Sequence, residues 1–268
     1  MSELDRKWDS LRSQLRDLGR VAIAYSGGVD STFLLRVAAD TLGPENVLAL
    51  TAHSPVGTAA ELDRAKRWAA EIGALHLVVE SSEFSDPAFV ANQPDRCYVC
   101  KKGRFSQLLG LARARGIHHL LDGTNADDAE DYRPGTRAAA ELGVISPLRD
   151  AGFTKSDIRA ASRSLALPSA DLPSFACLAS RIPYGTSLTE ESLRRIEAGE
   201  EALAALGLKQ YRLRHHGVIA RIEVPAEDLA RVLAERETVL GALRELGYRY
   251  VTLDLQGYRT GSLNEVLR

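Results

Sequence analysis

Apolar residues recur at steps of three and four in Trp8, Leu11, Leu15 and Leu18, which predicts an amphipathic helix near the start of the chain. The pattern then changes. Val21-Ala22-Ile23-Ala24-Tyr25 is a continuous apolar run, as expected of a strand buried on both faces. Residues 31–42 return to helical spacing, and Val47-Leu48-Ala49-Leu50 reads as a second strand. Residues 58–73 form a helix and Leu75 to Val79 a third strand. Residues 99–115 are helical with Gly116 as a stop, and His119 to Leu121 make a fourth short strand. This alternation predicts an α/β domain over residues 1–166, built on a doubly wound parallel sheet.

Residues 167–187, LPSADLPSFACLASRIPYGTS, carry three prolines and a glycine and read as a long loop or linker. Helical spacing resumes over 189–206. Tyr211 to Leu213 and Val218 to Val224 alternate as a hairpin around His216-Gly217, and two helices and a strand at Tyr250 to Leu255 follow. The order strand, strand, helix, helix, strand predicts a smaller α+β domain over 188–268. There is no internal repeat.

Composition narrows the function classes. Of the 268 residues, 45% are apolar and 26% charged, which excludes disorder as the main state. Lys and Arg number 34 against 36 Asp and Glu, a net charge of −2, so bulk salt-driven nucleic-acid binding is not expected. The longest uncharged stretch, Asn46 to Ala60, holds His53, Ser54, Pro55 and Thr58 and falls short of a membrane span. The N-terminus is charged throughout, unlike a secretory signal, so a cytoplasmic protein is expected. Three cysteines are too few for a disulfide scaffold.

The first strand runs straight into Ser26-Gly27-Gly28-Val29-Asp30-Ser31 and a helix. Gly27 and Gly28 permit a sharp turn that brings bare N–H groups to a ligand, and the helix N-terminus points at the same place. Ser26, Ser31 and Thr32 add hydroxyls. The result is an anion cradle, but no Walker sequence is present. Asp30 within such a cradle makes sense if Mg²⁺ bridges it to phosphate. The hexapeptide resembles the SGGxDS motif of the PP-loop ATP pyrophosphatases. That likeness implies an adenine nucleotide alpha hydrolase-like fold, cleavage of ATP between its α and β phosphates, and adenylation of a carbonyl or carboxylate oxygen. ATP contacts are then expected from Ala24, Ser26, Gly27, Gly28, Asp30 and Ser31. Further contacts are expected from Thr51, at the end of the second strand beside the adenine, and from Gly123 and Asp128. These last lie in Asp122-Gly123-Thr124-Asn125-Ala126-Asp127-Asp128, where carboxylates at the same sheet edge suit Mg²⁺ or the leaving pyrophosphate.

Cys97-Tyr98-Val99-Cys100 is a CxxC, and Cys177 follows after 76 intervening residues, in the proline-rich loop. By itself the pair reads as a redox couple, half a zinc site or unrelated thiols. His118 and His119 do not match a standard zinc spacing, whereas three thiolates hold a cluster with one iron left open.

Pro173-Ser174-Phe175-Ala176-Cys177-Leu178-Ala179-Ser180-Arg181-Ile182-Pro183-Tyr184-Gly185 closely resembles the signature of the LarE family. So do the Asp122–Asp128 segment with Asp131-Tyr132-Arg133-Pro134-Gly135, and the tail Gly257-Tyr258-Arg259-Thr260-Gly261-Ser262. The resemblance implies ATP-dependent sulfur transfer to both carboxylates of pyridinium-3,5-biscarboxylic acid mononucleotide. The product is the bisthiocarboxylic acid mononucleotide of the nickel-pincer cofactor of lactate racemase. LarE proteins with one cysteine give up the sulfur of the residue matching Cys177. Those with three hold a 4Fe–4S cluster whose open iron binds a transferable sulfide. Cys97, Cys100 and Cys177 match the second kind. Cys177 and Asp30 are the expected catalytic residues, with hand-over to a nickel-inserting enzyme and homo-oligomeric assembly as further implications.

Arg212 and Arg214 share one face of a predicted strand and suit a bidentate phosphate clamp. The resemblance assigns them, with Ser180 and Arg181 nearby, to the substrate phosphate; Arg221 and Arg259 stay unassigned. The competing readings are a PP-loop tRNA thiolase, which the charge balance disfavours, an amide-forming enzyme, which leaves the cysteines idle, and a non-catalytic nucleotide-binding regulator.

Overall fold

The computed structural model describes residues 2–129, 134–173, 176–259 and 261–267. The first apolar repeat is helix α1 (Glu3–Leu18), opened by a capping box between Ser2 and Asp5 and stopped at Gly19. Leu11 and Leu15 are fully buried on its inner face. The continuous apolar run is β1 (Val21–Ala24), followed by α2 (Val29–Leu42), β2 (Val47–His53), α3 (Ala59–Ile72) and β3 (Leu75–Glu80). A single turn, α4 (Pro87–Val90), precedes α5 (Arg96–Arg113) and β4 (His119–Leu121). Then come α6 (Pro134–Glu141), the turn α7 (Pro147–Asp150) and α8 (Lys155–Ser164).

The four strands are parallel in the order β3-β2-β1-β4, with Val21 opposite both Val47 and His119. β1 is therefore central, which accounts for its unbroken apolar run. Val21 and Ile23 pack with α1, α2 and α8 on one face, while Ala22 packs with Phe105, Leu108 and Leu109 of α5 on the other. The predicted α/β sheet with helices on both faces is what is found.

The chain divides into two compact units. One comprises Met1–Phe89 and Pro94–Ser174, the other Val90–Gln93 and Phe175–Arg268. The division at 174/175 falls inside the proline-rich segment. The second unit holds α9 (Glu190–Ala205), β5 (Arg212–His216), β6 (Ile219–Glu223), α10 (Leu229–Ala234), α11 (Arg236–Glu245) and β7 (Tyr250–Leu253). β5 and β6 form an antiparallel hairpin with Gly217 at φ +64°, and β7 adds in parallel to β6. A Cβ at Gly199 would collide with Leu213, so glycine lets α9 lie close on β5. The proline-rich segment is not all loop, since Leu178–Arg181 make a 3-10 turn. Val90–Gln93 joins this unit because the Asn92 amide, fully buried, donates to the carbonyls of Pro183 and Thr186 at 2.9 Å each. Among the described residues, no helix is long and apolar enough to cross a membrane.

Candidate active site

β1 delivers the chain to the carboxyl edge of the sheet, where Tyr25 N–H still pairs with the Leu50 carbonyl at 2.8 Å. The backbone then reverses at Gly27, φ +69°, where a Cβ would sit 2.9 Å from the Ala65 Cβ. α2 starts at Val29, two residues earlier than the spacing predicts, with Gly28 as its N-cap and no capping side chain. Its first amides are thus left for an anion. Ser26 Oγ and Ser31 Oγ are 3.1 Å apart, and Gly28 N–H donates to Ser26 Oγ at 3.3 Å. Ala24, Ser26, Gly27, Gly28, Asp30 and Ser31 therefore follow one another through the end of β1, the loop and the first turn of α2.

Asp30 lies in the first turn of α2, and its Oδ2 accepts from Lys155 Nζ at 2.6 Å. Its Oδ1 is buried without a hydrogen-bond partner. Burial pushes the Asp30 pKa up, and Lys155 only partly offsets this. An orphaned carboxylate oxygen at the rim of an anion cradle fits a divalent cation, so Asp30 fits the Mg²⁺ role expected of it.

On the β2 side, Thr51 Oγ1 donates to the Tyr25 carbonyl at 2.6 Å and meets His76 Nε2 at 2.8 Å. Thr51 is thereby tied to the residue that opens the loop. On the β4 side, Gly123 lies against the helix start, because a Cβ there would be 3.0 Å from Ser31 N. The Asp122 carboxylate is buried and accepts from Thr124 Oγ1 and Ser146 Oγ at 2.7 Å each. Asp127 Oδ2 accepts from Lys155 N–H at 2.8 Å, and Asp128 Oδ2 from Asn125 N–H at 3.1 Å. Asp131, Tyr132, Arg133, Ser174, Phe175 and Thr260 lie outside the described residues.

Both CxxC cysteines sit within α5, which begins at Arg96 and not at 99, so Cys97 and Cys100 stand one turn apart on one face. Cys100 Sγ lies 4.0 Å from Glu83 Oε1. The same oxygen accepts from Ser54 Oγ at 2.6 Å and Arg104 Nε at 3.0 Å. Burial opposes ionisation of Glu83, but Arg104 and Ser54 outweigh it and keep the carboxyl below its ordinary value. None of the three cysteines is in a disulfide, and Cys97 and Cys177 are exposed. Among the described residues of either unit, no three His, Cys, Asp or Glu side chains gather as a metal-binding group.

In the second unit Cys177 caps the 3-10 turn that ends at Arg181. Its carbonyl accepts from Ser180 Oγ at 2.8 Å and Arg181 Nη1 at 3.2 Å. Arg181 is 1% exposed and forks onto Glu200 at 2.8 and 2.9 Å. Its donors are therefore engaged within the fold. Arg212 and Arg214 are both buried, so β5 is no solvated edge strand despite being last in its sheet. Arg214 donates to the Ser180 carbonyl at 2.6 Å, Ser262 Oγ at 2.7 Å and Glu223 at 2.9 Å. Arg212 lies over the Tyr258 ring, and burial together with the Arg181 charge lowers its pKa. Both Nη atoms of Arg214 are thus engaged within the second unit, and its Nε is buried without a hydrogen-bond partner. Arg221 pairs with Glu223, and Arg259 with Glu265.

Sequence reasoning missed Lys155, Glu83 and Glu200. Each acts through a partner 19 or more positions away, as |i−j| is 125, 21 and 19 for the pairs with Asp30, Arg104 and Arg181. Local periodicity carries no such information.

Residues 8–129 match the asparagine synthase family. Over its full length the chain is 40% identical to pyridinium-3,5-bisthiocarboxylic acid mononucleotide synthase of Lactiplantibacillus plantarum, covering 97% of that protein. It is 43% identical to an uncharacterised Synechocystis protein, over 98% of this chain and 99% of the relative. A more distant likeness, 28% over 59% of the chain and 58% of the relative, is to the NH₃-dependent NAD⁺ synthetase of Chlorobaculum tepidum.

Proposed function

The chain belongs to the LarE family of pyridinium-3,5-bisthiocarboxylic acid mononucleotide synthases and is an ATP-dependent enzyme, and from that premise we propose that it converts pyridinium-3,5-biscarboxylic acid mononucleotide to the bisthiocarboxylic acid. The observation that carries the proposal is the uncapped start of α2 behind Gly27 and Gly28, with Ser26, Ser31 and Asp30 at its rim. A carboxylate is a poor acyl donor because its oxygen leaves badly. In the reaction a substrate carboxylate oxygen attacks the α-phosphorus of ATP. The bond to the bridging oxygen breaks, and pyrophosphate leaves with the electron pair. A sulfur nucleophile then adds to the acyl carbon, and AMP leaves with the carboxylate oxygen.

The first unit binds ATP. Its loop amides and serine hydroxyls hold phosphate oxygens, and Asp30 holds Mg²⁺, which neutralises charge on the phosphates. Thr51 lines the adenine side, and Gly123 and Asp128 the opposite flank. The second unit binds the substrate phosphate through Arg212, Arg214 and Ser180 and carries Cys177. Thiols are the ordinary ligands of iron–sulfur groups, and Cys97 and Cys100 stand on one helix face, which supports the reading that they hold a 4Fe–4S cluster together with Cys177. When bound, that cluster supplies the sulfur that is transferred.

The test is turnover of protein prepared without oxygen, with ATP and the biscarboxylic acid mononucleotide. Pyrophosphate release and a mass shift of the substrate from oxygen to sulfur are expected, with iron bound to the protein. Replacing any one cysteine by alanine should remove most of the iron and the sulfur transfer while pyrophosphate release persists. Dehydroalanine at position 177, with active Cys97→Ala and Cys100→Ala variants, would establish sacrificial use of Cys177 instead.

A further inference from the structure

Asn92 is fully buried, and its backbone stands at φ 54°, a left-handed conformation that persists only where the surroundings hold it. One loop supplies the hold. The Asn92 side-chain amide donates to the carbonyls of Pro183 and Thr186 at 2.9 Å each, and its main-chain carbonyl accepts from Gly185 N–H at 3.0 Å. Two residues earlier, the Val90 carbonyl accepts from Leu188 N–H at 2.9 Å. The short excursion Val90–Gln93 is thereby pinned to residues 183–188 and shares their compact unit, while the chain on either side of it belongs to the other unit.

The pin sits between the cysteines. Cys97 follows Asn92 by five residues, and Cys177 precedes Pro183 by six. Both leads are partly wound. On the first, the Asp95 carbonyl accepts from Tyr98 N–H at 2.8 Å, and the buried Arg96 opens α5. On the second, Leu178–Arg181 form the 3-10 turn, and Arg181 holds the carbonyls of Ala176 and Cys177. Along the chain Cys97 and Cys177 stand 80 positions apart, whereas through the pin only these two leads separate them. Short leads cap the distance between two thiols and raise the effective concentration of one at the other. That limit comes from chain length and holds for any arrangement of the two units. Resting on the cluster reading given above, we propose that Asn92 is a positioning residue for the cysteines: it fastens the segment before Cys97 and Cys100 to the segment after Cys177, and so gathers the three thiols for one cluster.

The test compares the full chain with its Asn92→Gly variant, because glycine accepts the left-handed φ and loses only the amide. In iron-free protein carrying Cys100→Ser, the exposed thiols of Cys97 and Cys177 are joined with a short bismaleimide, and the rate is read by peptide mass spectrometry. Loss of two buried hydrogen bonds predicts that Asn92→Gly slows the joining by about 10-fold, with ATP affinity within about twofold. After loading with iron and sulfide without oxygen, the variant should hold less iron per chain and show weaker visible absorption. Coupling is reciprocal, so loading the unaltered protein should slow hydrogen exchange at the Gly185 and Leu188 amides. This last measurement needs no variant and decides the matter if Asn92→Gly does not fold. Equal joining rates and equal iron in the two proteins overturn the proposal, as does exchange at Gly185 and Leu188 that ignores loading. Unaltered protein that binds no iron, yet joins its thiols in an Asn92-dependent way, overturns the cluster reading and leaves the gathering of the thiols standing.

Discussion

Gly27→Ala tests the packing of the phosphate loop. The alanine must adopt φ +69°, which costs about 1–2 kcal/mol for a residue with a Cβ. Its methyl would also lie 2.9 Å from Ala65 Cβ, 3.0 Å from its Cα and 3.1 Å from its N. Ordinary contact begins at 3.4 Å, so loop and α3 must separate by 3.4 − 2.9 = 0.5 Å. Backbone atoms of a helix do not yield as a flexible side chain does, and such overpacking costs about 1–3 kcal/mol. The sum is about 2–5 kcal/mol, or roughly 4–20 °C in Tm at about 2–4 °C per kcal/mol. Gly28→Ala is the control. Gly28 has φ −81°, and its Cβ would meet only Ser26 Oγ at 3.3 Å, an atom free to rotate. Thermal melts and ATP titrations of both variants, with Gly27→Ala/Ala65→Gly as a third, provide the measurement. Gly27→Ala should lose both stability and ATP affinity. Gly28→Ala should change Tm little, and the double variant should recover only part, because φ and the Ala65 backbone are unaltered. Equal melting of the two single variants would refute the reasoning.

Arg214→Lys keeps a positive charge opposite Glu223 but removes the planar fork; the KM for the carboxylated nucleotide should rise about 10-fold while that for ATP holds, as steady-state kinetics will show. Arg181→Met strands the buried Glu200 carboxylate and should destabilise the second unit by about 3–5 kcal/mol in urea unfolding, with Arg181→Met/Glu200→Leu recovering most of it. His215 is buried, its Nδ1 is 3.0 Å from the Tyr248 hydroxyl, and burial lowers its pKa from 6.5. The unfolded chain therefore binds the proton more readily, so stability falls as pH drops through 6.5 toward the lowered folded value. His215→Gln should flatten the difference between melts at about pH 5 and pH 8.

The sheet could be read from the sequence because β1 is buried on both faces and alternation cannot disguise an unbroken apolar run. The phosphate loop was equally legible, since a turn between a strand and a helix is a local event. α5 was harder to bound. Its first turn, Arg96-Cys97-Tyr98, presents little apolar periodicity, and Asp95 makes no capping bond that would mark the start. Asn92 was hidden for another reason: a left-handed residue at φ 54° bonds to carbonyls 91 and 94 positions away, and chain order says nothing of that. The burial of Arg212 and Arg214 was likewise invisible, because it depends on Glu223, Tyr258 and Ser262 arriving from later segments.

The turn at Cys177 is fastened through oxygen atoms of the main chain. Arg181 holds the carbonyls of residues 176 and 177, and Ser180 holds the latter as well, while none of these bonds involves the cysteine side chain. The scaffold is therefore indifferent to what position 177 carries. A thiol, a metal-bound thiolate or a side chain that has lost its sulfur would ride on the same mount. Under the proposed sulfur chemistry, wear at this residue ends turnover without weakening the fold, so inactivated molecules should persist as well-folded copies and not be cleared by unfolding.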